Sequence, residues 1–138
     1  MVCVSNDQPT DYVKNIARVL IITFISCISC KQNVTIEGLD KDNWKADKNG
    51  CNGTRMDMKP VLESNLEKIK GLDQEEIKEL LGKPDKNELY KRSQKFFVYY
   101  LSPAPSCTHG NTSEQQEIYL SIRFNATGLA KEVLVYYN

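Results

Sequence analysis

Histidine and tryptophan are almost missing from this chain: His109 and Trp44 are the single examples among 138 residues. One imidazole is too few for a His-rich zinc centre, and it leaves any Ser-His-Asp relay resting on His109 alone. Net charge is missing as well, 18 Lys and Arg being balanced by 18 Asp and Glu. The chain therefore lacks the positive field that nucleic-acid binding draws on. No run of 18 or more apolar residues occurs, so none reaches across a bilayer as a helix. A glycine-rich phosphate cradle, an HExxH helix and a nucleophile elbow are equally missing. No cofactor, metal or nucleic acid is expected, and the chain does not read as an enzyme. What is present, 41% hydrophobic and 9% aromatic residues, is the composition of one folded domain with a modest core.

The amino terminus reads as an address. Val19 to Cys30 is an uncharged run, VLIITFISCISC, preceded by Lys14 and Arg18 and followed by the polar Lys31-Gln32-Asn33. Twelve residues do not cross a membrane, but a basic stretch, a short apolar run and small residues near a cut site make a secretory signal over residues 1–30. Residues 1–12 are mixed and polar, unlike a signal; if Val13 marks an alternative start codon, they are not translated. Ser26-Cys27 and Ser29-Cys30 each set a small residue before cysteine, which resembles the lipobox of bacterial lipoproteins. That resemblance implies a lipid on Cys30, or on Cys27, and a membrane anchor at the new amino terminus. Signal removal takes away Asp7, Asp11, Lys14 and Arg18, so the remainder stays neutral. Its two remaining cysteines, Cys51 and Cys107, are an even pair in an exported domain and read as a disulfide. Four Asn-x-Ser/Thr sequons, at Asn33, Asn52, Asn111 and Asn125, read as chance matches in an Asn-rich sequence.

Residues 31–59, rich in Lys, Asp, Asn and Gly, read as a tether and loosely structured lead-in. A first helix is expected from Pro60 to Lys70, with Leu62, Leu66 and Ile69 on one face. Asp73 and Glu76 are spaced as a capping box for a second, which Gly82 and Pro84 end. Three strands follow, at 96–101, 118–124 and 130–137, rich in aromatic and β-branched residues at period two. Asn125-Ala126-Thr127-Gly128 joins the last two as a tight hairpin. The expected fold over residues 60–138 is α+β: two short helices packed on one face of a three-stranded antiparallel sheet.

Gly71-Leu72-Asp73-Gln74-Glu75-Glu76-Ile77-Lys78-Glu79-Leu80-Leu81-Gly82-Lys83-Pro84 resembles the helix motif of the SmpA/OmlA (BamE-like) family of outer-membrane lipoproteins. Leu120 to Leu129 resembles that family's hairpin. The resemblance covers roughly residues 60–138 and implies two helices on a three-stranded antiparallel sheet. It also implies a non-catalytic accessory role beside envelope proteins such as the machinery that inserts β-barrels into the outer membrane, on its periplasmic side. The segment from Trp44 to Met58 and the Cys51–Cys107 pair depart from the family pattern. A second reading of the same sandwich is an inhibitor or immunity-type protein that blocks a secreted enzyme.

Asp73, Glu75, Glu76 and Glu79 read as a solvated helix face rather than a catalytic carboxylate pair. Tyrosines on a small sheet are common at interaction surfaces, so Tyr99, Tyr119, Tyr136 and Arg123 are the expected partner-binding residues. For Arg123 a cross-strand carboxylate pair is the competing expectation.

Overall fold

Alternation of apolar and polar side chains builds the sheet seen in the computed structural model, which describes residues 33–90, 94–107 and 116–138. Cys27, Cys30 and His109 lie outside the described residues. The strands are β1 (Lys86–Tyr90), β2 (Gln94–Tyr100), β3 (Ile118–Phe124) and β4 (Ala130–Tyr137), antiparallel and in sequence order across the sheet. The expected three-stranded sheet is thus corrected to four. The strand missing from the sequence reading, β1, has the sequence KNELY and is exposed along its whole length. A strand with no buried face carries no alternating apolar signal, so its pattern is invisible until β2 pairs with it.

In β3, Ile118, Leu120, Ile122 and Phe124 are buried and face the helices, as the alternation predicts. Phe97 and Tyr99 from β2, Leu101 just after it, and Val133 from β4 complete that face. The β3–β4 turn is held by the Asn125 side chain, whose Oδ1 accepts from the Thr127 and Leu129 amides at 3.0 and 2.9 Å. Gly128 closes it at φ +83°, which a Cβ disfavours.

Among the described residues the helices are five short pieces rather than two: α1 (Lys41–Ala46), α2 (Thr54–Asp57), α3 (Lys59–Glu63), α4 (Leu66–Ile69) and α5 (Gln74–Leu81). The helix expected from Pro60 to Lys70 breaks between α3 and α4. Ser64 Oγ donates to the Pro60 and Val61 carbonyls, and Asn65 Nδ2 donates to the Val61 carbonyl at 2.7 Å. The Asn65 side chain takes the Val61 carbonyl that a continuing helix would give to the Asn65 amide, and that amide donates to the Leu62 carbonyl at 2.9 Å instead. The capping box of α5 forms as spaced: Asp73 Oδ1 accepts from the Glu76 amide at 2.9 Å, and Glu76 Oε2 accepts from the Asp73 amide at 2.8 Å. Gly71 and Ala130 then latch the α4–α5 connection to β4 through Gly71 N–H to Ala130 C=O (2.8 Å) and Ala130 N–H to Leu72 C=O (2.9 Å).

Residues 41–57 are part of the core and not a loose lead-in. Asp40 caps α1 by accepting from the Asp42 and Asn43 amides, which directs Trp44 inward. Trp44 is fully buried, and its indole N–H donates to the Leu81 carbonyl at 3.0 Å. Burial of a side chain that large, with its polar atom satisfied, contributes on the order of 2–3 kcal/mol. A 3₁₀ turn at Lys48–Gly50 brings Cys51 to Cys107, and the two form a disulfide with Cα atoms 5.6 Å apart. Two features of a lead-in sequence rich in polar residues, Trp44 and Arg55, carry the attachment, and neither belongs to a periodic pattern.

Candidate functional site

The sheet face away from the helices is organised in cross-strand rows, because directly paired residues of antiparallel strands project to the same side. Tyr100, Tyr119 and Tyr136 form one row, Lys86, Val98, Ser121 and Leu134 the next, and Glu88, Phe96, Arg123 and Glu132 a third. In the first row Tyr119 and Tyr136 stack at 5.5 Å with ring planes 19° apart, and Tyr100 meets Tyr119 edge-on at 6.2 Å. The Lys86 ammonium lies 5.2 Å from the centre of the Tyr100 ring. The neighbouring Tyr100 hydroxyl, more than Glu88 and Glu117, holds the Lys86 pKa above its ordinary value. Partial burial, then the neighbouring Tyr136, push the Tyr119 phenol up.

Along the tyrosine row, exposure rises toward β4. Tyr136 and Leu134 are 44% and 40% exposed, whereas Tyr100 is covered by Ala104 and Cys107 from the segment that follows β2. The disulfide therefore shapes one end of this face: it holds Cys107, and with it Ala104, over Tyr100. A small cleft of about 120 Å³ between Lys86, Tyr100, Glu117, Tyr119 and Asn138 opens beside the row. At the far end of the sheet, a wider groove of about 500 Å³ runs between Gln74, Leu89, Lys95 and the β3–β4 turn.

The expected partner-binding residues divide. Tyr136 is exposed and Tyr119 half-buried on the outer face. Arg123 is on that face too, but its Nε donates to Glu132 Oε2 at 2.6 Å, the cross-strand pair that competed with a binding role. Tyr99 is corrected: it faces the helices, is fully buried, and donates its hydroxyl to the Gly82 carbonyl at 2.9 Å. One residue of register separates Tyr99 from Tyr100, and that parity decides which is core. Leu134, Phe96 and Lys86 join the outer face without having been singled out; extending the period-two reading of β3 to its paired strands identifies the first two.

The acidic residues of α5 serve the helix. Asp73 and Glu76 form its capping box, and Glu75 accepts from Lys78 at 2.7 Å. Among the described residues no group of three or more His, Cys, Asp and Glu gathers as a metal site, and no helix is long and apolar enough to cross a membrane. Comparison of the chain with protein-family models, with curated proteins and with solved structures finds no match.

Proposed function

We infer that this chain is a lipid-anchored, non-enzymatic protein-binding module of the bacterial envelope, displayed on the periplasmic side of the outer membrane. It acts as a scaffold or accessory subunit, with outer-membrane protein assembly as the process that the resemblance to SmpA/OmlA lipoproteins suggests. The observation that carries the binding role is the exposed pair Leu134 and Tyr136 beside the stacked Tyr119. Tyrosines held rigid by stacking lose little entropy on contact, and a neighbouring leucine supplies apolar area, which is the make-up of an interface centre. The signal-like residues Lys14, Arg18 and Val19 to Cys30 support the address, with Cys30 or Cys27 as the lipid attachment site.

A photo-crosslinking residue placed at Tyr136 in the full-length chain, expressed in a bacterial envelope, tests the reading. Covalent capture of barrel-assembly components, lost when Leu134 is changed to Asp, is the expected result. Capture of one soluble hydrolase instead overturns the assembly role in favour of the inhibitor reading. Fractionation of labelled protein with the membrane, lost when both Cys27 and Cys30 are serine, tests the anchor.

A further inference from the structure

Among the described residues, no strand pairs with the outer edge of β1. Glu117 and Asn138 exchange both of their backbone hydrogen bonds, at 3.1 and 2.9 Å, and the Leu101 amide donates to the Ile118 carbonyl at 2.9 Å. Alternation from these pairs sets which residues bond which neighbour. Tyr99 and Phe97 turn their polar groups to β3, and Phe96 and Val98 turn theirs to β1. Their β1 partners are Glu88 and Lys86, so the N–H and C=O groups of Asn87 and Leu89 point away from the sheet. All five residues of β1 are exposed, Leu89 and Tyr90 at 78% and 67%. An edge of this kind is a template for another strand.

We propose that the free edge of β1 pairs antiparallel with β1 of a second copy of this chain, about a two-fold axis through Asn87. The sheet then runs continuously through eight strands. This register is selected by charge. With Asn87 opposite its own counterpart, Lys86 comes opposite Glu88 of the second copy and Glu88 opposite Lys86, giving two ion pairs on the outer face. Asn87, whose polar groups point outward, falls opposite its own counterpart at the hydrogen-bonded centre of the new ladder, while Leu89 falls opposite Asp85, whose amide is already given to the Val98 carbonyl at 2.9 Å. A register centred on Leu89 sets Glu88 against Tyr90 and loses both ion pairs. A two-fold interface requires a self-complementary patch, and Lys-Asn-Glu is self-complementary in this direction. The dimer also joins two tyrosine-bearing outer faces edge to edge, doubling the area open to a partner.

Sedimentation velocity of the full-length chain in detergent, across a micromolar concentration series, tests this. A reversible monomer–dimer equilibrium is expected. Glu88→Lys sets like charges opposite each other twice and weakens the dimer about tenfold or more. The double change Lys86→Glu with Glu88→Lys restores it, and Asn87→Pro, which removes an edge N–H, abolishes it. These positions are exposed, so far-UV circular dichroism of every variant matches the parent. A single monomeric species at all concentrations overturns the proposal. So does a dimer indifferent to Glu88→Lys, or one that the double exchange fails to rescue.

Discussion

Arg55 and Asp85 form a buried ion pair, Nη1 to Oδ2 at 2.5 Å, with side chains 1% and 3% exposed. Each charge is satisfied further. Arg55 Nε donates to the Trp44 carbonyl at 3.0 Å and Nη1 to the Tyr100 carbonyl at 3.2 Å, while Asp85 accepts from the Asn49 and Tyr100 amides. The guanidinium also lies over the Trp44 ring, 5.1 Å from its centre. One pair thereby ties α1, the 3₁₀ turn, the start of β1 and the end of β2 together.

Removing one partner strands the other charge in the core. Arg55→Ala is expected to lower the free energy of unfolding by about 3–5 kcal/mol, the usual consequence of breaking a buried pair. The double change Arg55→Met with Asp85→Asn should cost less than the sum of the single changes. Urea denaturation of the four proteins checks it; additive losses would show that the two side chains do not act as a unit.

The Cys51–Cys107 bridge closes a loop spanning a sequence separation of 56. The chain-entropy model gives about 4 kcal/mol of stabilisation for a loop of that length. Replacement of both cysteines by alanine should lower the denaturant midpoint accordingly and release Ala104 from Tyr100, raising Tyr100 exposure. Reactivity of Tyr100 toward a phenol-modifying reagent, located by mass spectrometry, reads the second effect.

Gly50 sits at φ +65°, and a Cβ there meets the Ser102 carbonyl oxygen at 2.6 Å. Gly50→Ala therefore combines backbone strain with a backbone clash and should destabilise by about 2–3 kcal/mol or more. Gly71, at φ +84° with open space around it, isolates the first of these effects, and Gly71→Ala should cost only about 1 kcal/mol. Equal thermal shifts for the two variants would contradict the packing around Gly50.

Burial pushes the Tyr99 phenol well above its ordinary value, against the opposing pull of the Arg55 charge. The folded chain consequently holds this proton when the unfolded chain releases it. The contribution to stability is complete below pH 10 and is lost as pH rises from there toward the folded value, at about 1.4 kcal/mol per pH unit. Tyr99→Phe should remove that part of the alkaline slope while costing about 1 kcal/mol at neutral pH for the lost bond to Gly82. Denaturation midpoints measured from pH 8 to about 11 compare the slopes of parent and variant.

Much of the fold was legible because its determinants are local. Strand β3 announces itself through alternating apolar residues buried on one face, β4 through its run of β-branched and aromatic residues, α5 through Asp73 and Glu76 at capping distance, and the hairpin through Asn125 and Gly128. Tertiary contacts alone decided the remainder. Whether Tyr99 or Tyr100 points inward depends on a register set by pairing with β3, not on the residue type. Strand β1 exists because β2 offers it hydrogen bonds, since its own side chains bury nothing. Residues 41–57 join the core through Trp44, Arg55 and Cys51, whose partners Leu81, Asp85 and Cys107 are 30 or more positions away. Sequence periodicity records which side chains leave water together along one element. It holds no record of which distant element they meet, and in this protein that meeting places the tyrosine face and sets β1 at the edge of the described sheet.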